Sequence, residues 1–306
     1  MKRTLIGLAK LTRFDEYTNF VVITTLLGVL AAQGAFTWQL IILLVSNWLA
    51  VGFAFMINDI EDAPEDAFSN KNFKRNPVSS GLISPKDART AAWLAALSSA
   101  GLYAILGLWP FILGGACLIL GMLFSAQTVR LKAMAFMDIL SHGLILAGLP
   151  FLCSYFTFTT RFNQVWFWPF IFVVSVSNYG RLQKEVRNLE GERLSRLRHR
   201  SACQGTAIVL GDRVTSVLIM VMLILAVIAG VITFFIINLI PVWVMVVMAF
   251  LVIVFVLSQL INNQRGDTVL TPPHSLTKPL EQAAALALIL QFFMPWLDQL
   301  MQLGIF

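Results

Sequence analysis

The stretch Phe55-Met-Ile-Asn-Asp-Ile-Glu-Asp-Ala-Pro-Glu-Asp66 ends a charge-free run that begins at Tyr17, and it places five carboxylates between Asp59 and Asp66. A helix needs ~20 apolar residues to cross the hydrocarbon of a bilayer, so residues 17–57 suffice for two crossings joined by a turn. Further charge-free runs cover residues 90–129, 139–160, 162–180, 214–264 and 282–297. With 58% hydrophobic and 12% charged residues, the chain departs from globular proteins, in which about a quarter of residues are charged. It reads as a polytopic membrane protein. Turn-forming or interfacial residues interrupt the apolar pattern at 34–37, at Trp109-Pro110 and at 238–241. Nine helical spans result, at 17–34, 37–57, 90–108, 111–127, 135–156, 165–181, 214–237, 241–262 and 281–302. Lipid admits only helices or closed barrels, and no strand-like alternation competes. The expected fold is all-α, one nine-helix bundle, with residues 1–306 forming a single domain.

Lys and Arg accumulate in cytoplasmic loops. In this arrangement all of the 22 Lys and Arg except Arg161 fall on one side. That side holds the N-terminus and the loops 58–89 and 181–213, which are therefore expected to be cytoplasmic, with the C-terminus opposite and a prokaryotic cell membrane as the location. Residues 1–14 read as an interfacial amphipathic helix, because Lys10 and Arg13 interrupt a short apolar core and no small-residue cleavage site follows. The formal charge of +6 suits anionic lipid headgroups or an anionic substrate. No basic-aromatic pattern argues for nucleic acid. Cys117, Cys153 and Cys203 show neither metal spacing nor disulfide arithmetic, and no residue pattern signals an oligomeric state.

On a helix continuing from the second span, Asn58, Asp62 and Asp66 recur every four residues, and Asp59 lies three before Asp62, so these groups share one face. Pro64 is expected to bend or end the helix there. Clustered carboxylates repel unless cations share them, and oxygen-rich sites with few protein ligands suit Mg²⁺ bound together with substrate phosphates. Lys71, Lys74 and Arg75 follow, then Asn76-Pro-Val-Ser-Ser-Gly81, a segment able to turn back with cationic and hydroxyl donors. Carboxylates for a metal and guanidinium for a phosphate are the two halves of a diphosphate site; a solvated acidic loop tip is the plainer alternative. The loop after the sixth span repeats this chemistry with Lys184, Glu185, Asn188, Glu190 and Glu192.

These residues resemble a known family. Asn58-Asp59-x-x-Asp62-x-x-x-Asp66 is similar to the NDxxDxxxD motif of the UbiA-type intramembrane prenyltransferases. Arg75-Asn-Pro-Val-Ser-Ser-Gly81 resembles the segment that follows that motif, and Phe124-Ser125 with Arg130-Leu131-Lys132 resembles a later loop. Lys184 to Glu192 stands where the second aspartate motif belongs, and Gly205-Thr206-Ala207 has its expected place before span seven. The resemblance covers residues 13–215. It implies Mg²⁺ held by Asp59, Asp62, Asp66, Glu185, Asn188 and Glu192, with Asn58 as an orienting ligand. Arg75, Arg130, Lys132 and Lys184 would bind the diphosphate of an isoprenoid substrate, and a hydrophobic acceptor would receive the prenyl group. One departure stands out: the family usually has aspartates at the positions of Asn188 and Glu192. An intramembrane terpene cyclase, with no external acceptor, therefore stays open beside the transferase.

Asp138 and His142 stand four apart at the start of the fifth span. They either hydrogen-bond each other or serve the acceptor, by binding it or taking a proton. The basic run Arg193 to Arg200 lies along anionic lipid or lids the diphosphate. His199 and His274 have no partner at ligand spacing. A transporter would show paired charges at mid-membrane in broken helices, whereas these span interiors are nearly charge-free.

Overall fold

A computed structural model describes residues 2–68, 70–161, 164–198, 205–263 and 277–302. All regular secondary structure among the described residues is helical. The segment expected at the interface is α1 (Lys2–Leu11), which buries Leu11 and exposes Leu5 and Ile6. Arg13, in the left-handed region at φ 47°, separates it from α2 (Phe14–Ala31). The chain then turns through Gln33 and Gly34, whose N–H donates to the Val29 carbonyl, into α3 (Trp38–Asp66).

The length of α3 decides where the acidic motif sits. Its 29 residues rise by ~44 Å, well beyond the ~30 Å of hydrocarbon, so its last turns stand clear of the apolar layer. Pro64 does not end this helix, as the sequence led us to expect. It falls in the final turn, and nearby carbonyls take side-chain donors: the Asn76 amide donates to the Asp59 carbonyl at 2.7 Å and the Ser79 hydroxyl to that of Ala63 at 2.8 Å. The segment after the short α4 (Asn70–Arg75) thus folds back onto α3.

α5 (Pro85–Leu106) starts on a Ser84 cap, with Ser84 Oγ accepting from Asp87 N at 3.1 Å. It passes into α6 (Leu108–Ser125) at Gly107, whose φ of 129° an L side chain rarely adopts. The break was expected at Trp109-Pro110. Pro110 is tolerated in the first turn of α6 because no partner awaits its missing N–H there. The fifth span is two helices, α7 (Met137–Gly143) and α8 (Leu149–Phe158), joined by a π turn over Leu144–Gly148.

α9 (Phe167–Arg198) is 32 residues long and runs far past the expected boundary at 181. Much of the segment read as loop 181–213 is thus helix, because the hydropathy falls before the helical hydrogen bonding does. α10 (Thr206–Val231), kinked at Gly211, leads through a second π turn at Ile232–Ile236 to α11 (Val242–Asn263), and α12 (Thr277–Gln302) follows.

Among the described residues five helices are long and apolar enough to cross a membrane: Phe14–Ala31, Trp38–Asp66, Leu108–Ser125, Met137–Phe158 and Arg213–Ile236; Val242–Leu251 and Leu280–Pro295 are shorter apolar segments. Met137–Phe158 is the most buried of the five, and α10 turns Val217, Ile224, Val227 and Ile228 outward. At the centre Asn47 joins four helices. Its amide donates to Thr25 Oγ1 at 2.8 Å, Ser154 Oγ at 3.1 Å and the Pro150 carbonyl at 3.2 Å, and its Oδ1 accepts from the Tyr103 hydroxyl at 2.6 Å. With no water in the bilayer to substitute, such bonds fix helix pairing. α2 meets α8 so closely at Gly28 that a Cβ there would lie 2.5 Å from the Phe151 carbonyl oxygen.

Candidate active site

α2, α3, α7 and α9 each turn one face into a single cavity of about 830 Å³, which residues of α4, α6 and α12 also line. α3 contributes Val51, Ala54, Phe55, Asn58, Asp62, Glu65 and Asp66. α9 contributes Ser177, Gly180, Arg181 and Lys184, and the chain from Arg13 into α2 adds Glu16 and Phe20. His142, Ile145 and Leu146 come from α7 and its π turn. Steps of three and four residues keep each stripe on one side of its helix. Along α3, and from Arg13 along α2, apolar residues at one end give way to charged ones at the other, so the cavity has an ionic mouth and a hydrocarbon interior.

The mouth is a set of matched ion pairs. Lys132, buried, donates to Asp62 Oδ1 at 2.5 Å and to Asn58 Oδ1 at 3.0 Å, where the Ser125 hydroxyl also donates at 3.2 Å. Arg130, at φ 49°, forks onto both oxygens of Glu65 at 2.7 and 2.6 Å. Asp66 accepts from the Asn76 amide at 2.9 Å. Arg75 is held by Glu16 at 2.5 and 2.6 Å. Lys184 lines the cavity near these groups without a hydrogen bond or ion pair among the described residues. Desolvation lowers its ammonium to about 8, with Glu16 opposing and Arg75, Arg181 and Arg13 reinforcing the fall.

Several residues singled out in the sequence meet here: Asn58, Asp62, Asp66, Arg75, Arg130, Lys132 and Lys184 all line one cavity. Asp59 does not. It is fully buried, and both its oxygens are taken by Arg13, through Nε at 3.0 Å and through Nη2. Arg13, Glu16, Glu65 and Ser177 were missed. Arg13 lies 46 residues from Asp59, and no spacing rule joins them. Glu65 sits outside the recognised acidic spacing, although it lies three residues after Asp62, a helical step that keeps it near the same face.

Glu185 does not line the cavity either. It turns away from the cavity toward the start of α10, where its Oε2 accepts from Ala207 N at 3.3 Å and Arg181 pairs with its other oxygen at 2.8 Å. Burial pushes this carboxyl up to about 7, against the lowering influence of Arg181 and with neighbouring Asp138 adding to the rise. Asn188 and Glu192 lie on α9, but their side chains are outside the described residues, as are those of Glu190 and the basic run to Arg200, together with Cys203, His199 and His274.

Asp138 and His142 do not bond each other. Asp138 is fully buried and accepts from Ile139 N at 2.9 Å, from Thr206 N at 3.0 Å and from the Thr206 hydroxyl. With Glu185 it caps the first turn of α10, where free N–H groups favour carboxylates. This explains the Gly205-Thr206-Ala207 segment: a Cβ at Gly205 would already stand 3.4 Å from Asp138 Oδ2 and 3.5 Å from Glu185 Oε2. His142 faces the cavity, its Nδ1 lying 3.4 Å from the Ser177 hydroxyl.

The acidic wall offers only oxygen ligands, from Asn58, Asp62, Glu65 and Asp66. Among the described residues no three His, Cys, Asp or Glu converge to enclose an ion on their own. This donor set fits Mg²⁺, which keeps most of its shell for water and phosphate and takes one or two carboxylates.

The sequence profile of the UbiA prenyltransferase family matches residues 21–270. Over 146 residues the chain is 30% identical to chlorophyll synthase, chloroplastic, from Avena sativa, an alignment that covers 42% of this chain and 37% of that protein. The chain thus spans well under half the length of this relative. Its fold is similar to that of a UbiA homolog from Archaeoglobus fulgidus bound to GPP and Mg²⁺, with a TM-score of 0.66 at 18% identity over 92% of this chain and 97% of that one. An apo UbiA homolog from Aeropyrum pernix K1 gives a TM-score of 0.70 at 14% identity, over 90% and 97% of the two chains.

Proposed function

Because the chain belongs to the UbiA prenyltransferase family, we propose that it transfers a prenyl group, with Mg²⁺, from an isoprenoid diphosphate to a hydrophobic acceptor inside the membrane. The observation that carries this reading is the polarity of the cavity: carboxylates and cations at the mouth, Phe20, Val51, Ala54, Phe55 and Phe124 within. A prenyl diphosphate has the same two-part character. Asp62 and Asp66, with Asn58, are the residues that would hold Mg²⁺; the ion neutralises charge on the leaving diphosphate. Lys132, Arg130, Arg75 and Lys184 stabilise that anion as the bond to carbon breaks, the form of preorganised electrostatic help that usually contributes most to catalysis.

Departure of the diphosphate leaves an allylic cation, which water would capture. Apolar walls exclude that water. The asymmetry of Lys and Arg puts the mouth on the cytoplasmic side, with nine spans and the C-terminus on the other face. For the acceptor the reading is an aromatic quinone precursor or a carotenoid-type polyene.

The test uses membranes containing the protein, a radiolabelled prenyl diphosphate, and Mg²⁺ or EDTA. Diphosphate release should need Mg²⁺ and should vanish in Asp62→Ala and Asp66→Ala; full activity in both variants would sink the assignment. A terpene hydrocarbon or alcohol formed without acceptor would replace transfer by cyclisation. Mass spectrometry of the lipid that co-purifies with the protein identifies the acceptor class.

A further inference from the structure

His142 and Ser177 form a polar pair where the ionic mouth meets the apolar interior. Ser177 precedes Arg181 by one helical turn on α9, and His142 precedes Ile145 and Leu146, so one side of the pair is charged and the other hydrocarbon. The two helices are in close contact at this level: a Cβ on Gly143 would stand 2.5 Å from Asn178 Oδ1. The π turn beginning at Leu144 resets the helical phase directly after His142, and such turns recur at functional sites. Phe124 stands beside this pair, its ring 6.4 Å from the His142 ring and 6.0 Å from the Arg181 guanidinium.

Of the two imidazole nitrogens only Nδ1 has a partner among the described residues, the Ser177 hydroxyl. In the tautomer with its proton on Nδ1, N–H donates to Ser177 Oγ and Nε2 keeps a free lone pair. Resting on the transferase reading above, we propose that His142, oriented by Ser177, takes the proton that the acceptor must lose, and that the acceptor attacks through an unsaturated carbon bearing a hydrogen. The step balances without a redox partner. The prenyl carbon–oxygen bond breaks and its electron pair leaves on the diphosphate. A π pair of the acceptor forms the new carbon–carbon bond. The carbon–hydrogen bond at the attacked carbon, or beside it, then breaks, its electrons restoring the double bond or ring, and the proton passes to Nε2. The positive charge gained by His142 is offset by the diphosphate anion leaving at the same end of the cavity. Phe124, Ile145 and Leu146 line the cavity beside His142 with apolar side chains, so the surroundings favour a polyene or aromatic carbon over a polar headgroup.

Positional isotope exchange tests this. Geranylgeranyl diphosphate carrying oxygen-18 in the bridging position scrambles its label whenever ionisation reverses, which reports the first step without an acceptor. Coupling is then measured with lycopene, 4-hydroxybenzoate and a glycerophospholipid as probes. His142→Gln should keep the scrambling while coupling to the polyene or aromatic probe falls ~10²-fold or more, the usual weight of a general base. Ser177→Ala should show the same split to a smaller degree. Coupling by His142→Gln at the parent rate overturns the inference, as does loss of scrambling and coupling together in both variants, or coupling confined to the glycerophospholipid. Absence of scrambling in the parent protein refutes the transferase reading instead, so the two failures are told apart.

Discussion

The pair Arg13–Asp59 yields the sharpest quantitative prediction. The Asp59 side chain is completely buried and that of Arg13 is 11% exposed. Removing one member of such a pair leaves the other charge buried and uncompensated, which costs about 3–5 kcal/mol. For Arg13→Met the loss falls on a chain of 306 residues, where 1 kcal/mol lowers the melting temperature by about 2 °C, so a fall of about 6–10 °C is expected. Arg13→Gly should fall less, because glycine at φ 47° recovers the ~1–2 kcal/mol that left-handed backbone costs an L residue. The double variant Arg13→Met with Asp59→Asn should lose less than the two single variants together, since their interaction energy is counted twice in the sum. Thermal melts in one detergent at one scan rate measure all four, the fixed rate being needed because unfolding of such proteins is commonly irreversible. A melting temperature for Arg13→Met within about 2 °C of the parent, or strict additivity in the double variant, would refute the reasoning.

Two further outcomes follow from the same geometry. Lys184, with its ammonium near pH 8, is charged below that value and neutral above it, so KM for the prenyl diphosphate should rise as pH passes through about 8; Lys184→Arg should flatten this profile, and a KM equally pH-dependent in the Arg variant would remove Lys184 from the site. Asn47→Leu removes the hydrogen-bond partner that the Tyr103 and Thr25 hydroxyls find on this side chain and should lower stability by ~1–2 kcal/mol while leaving KM unchanged, because Asn47 does not line the cavity; an altered KM with unchanged stability would contradict that division.

The first acidic motif was legible because helical periodicity alone puts Asn58, Asp62 and Asp66 on one side. That side does face the cavity. Arg130 and Lys132 were legible through their resemblance to a family loop, not through spacing. What escaped the sequence was set by tertiary packing. Arg13 reads as one more basic residue of an interfacial helix until the turn at φ 47° aims it at Asp59. One helix end was misjudged where polarity and helicity part company: α9 continues well past its apolar stretch. Gly107, rather than Trp109-Pro110, divides α5 from α6, since a glycine with positive φ breaks a helix where a proline in the first turn does not. Asp138 and His142 share a spacing that suggests partnership, yet Thr206 claims one and Ser177 the other.

The matched charges at the cavity mouth have a kinetic corollary. Cations and carboxylates stand there in nearly equal number, most already paired, so the mouth projects little net field despite the chain's charge of +6. An anion arriving there exchanges partners with resident carboxylates instead of being drawn in from a distance. Long-range steering makes association fall steeply with ionic strength; here the rate of substrate entry should be nearly indifferent to salt and governed by how quickly Glu16 and Glu65 release their arginines.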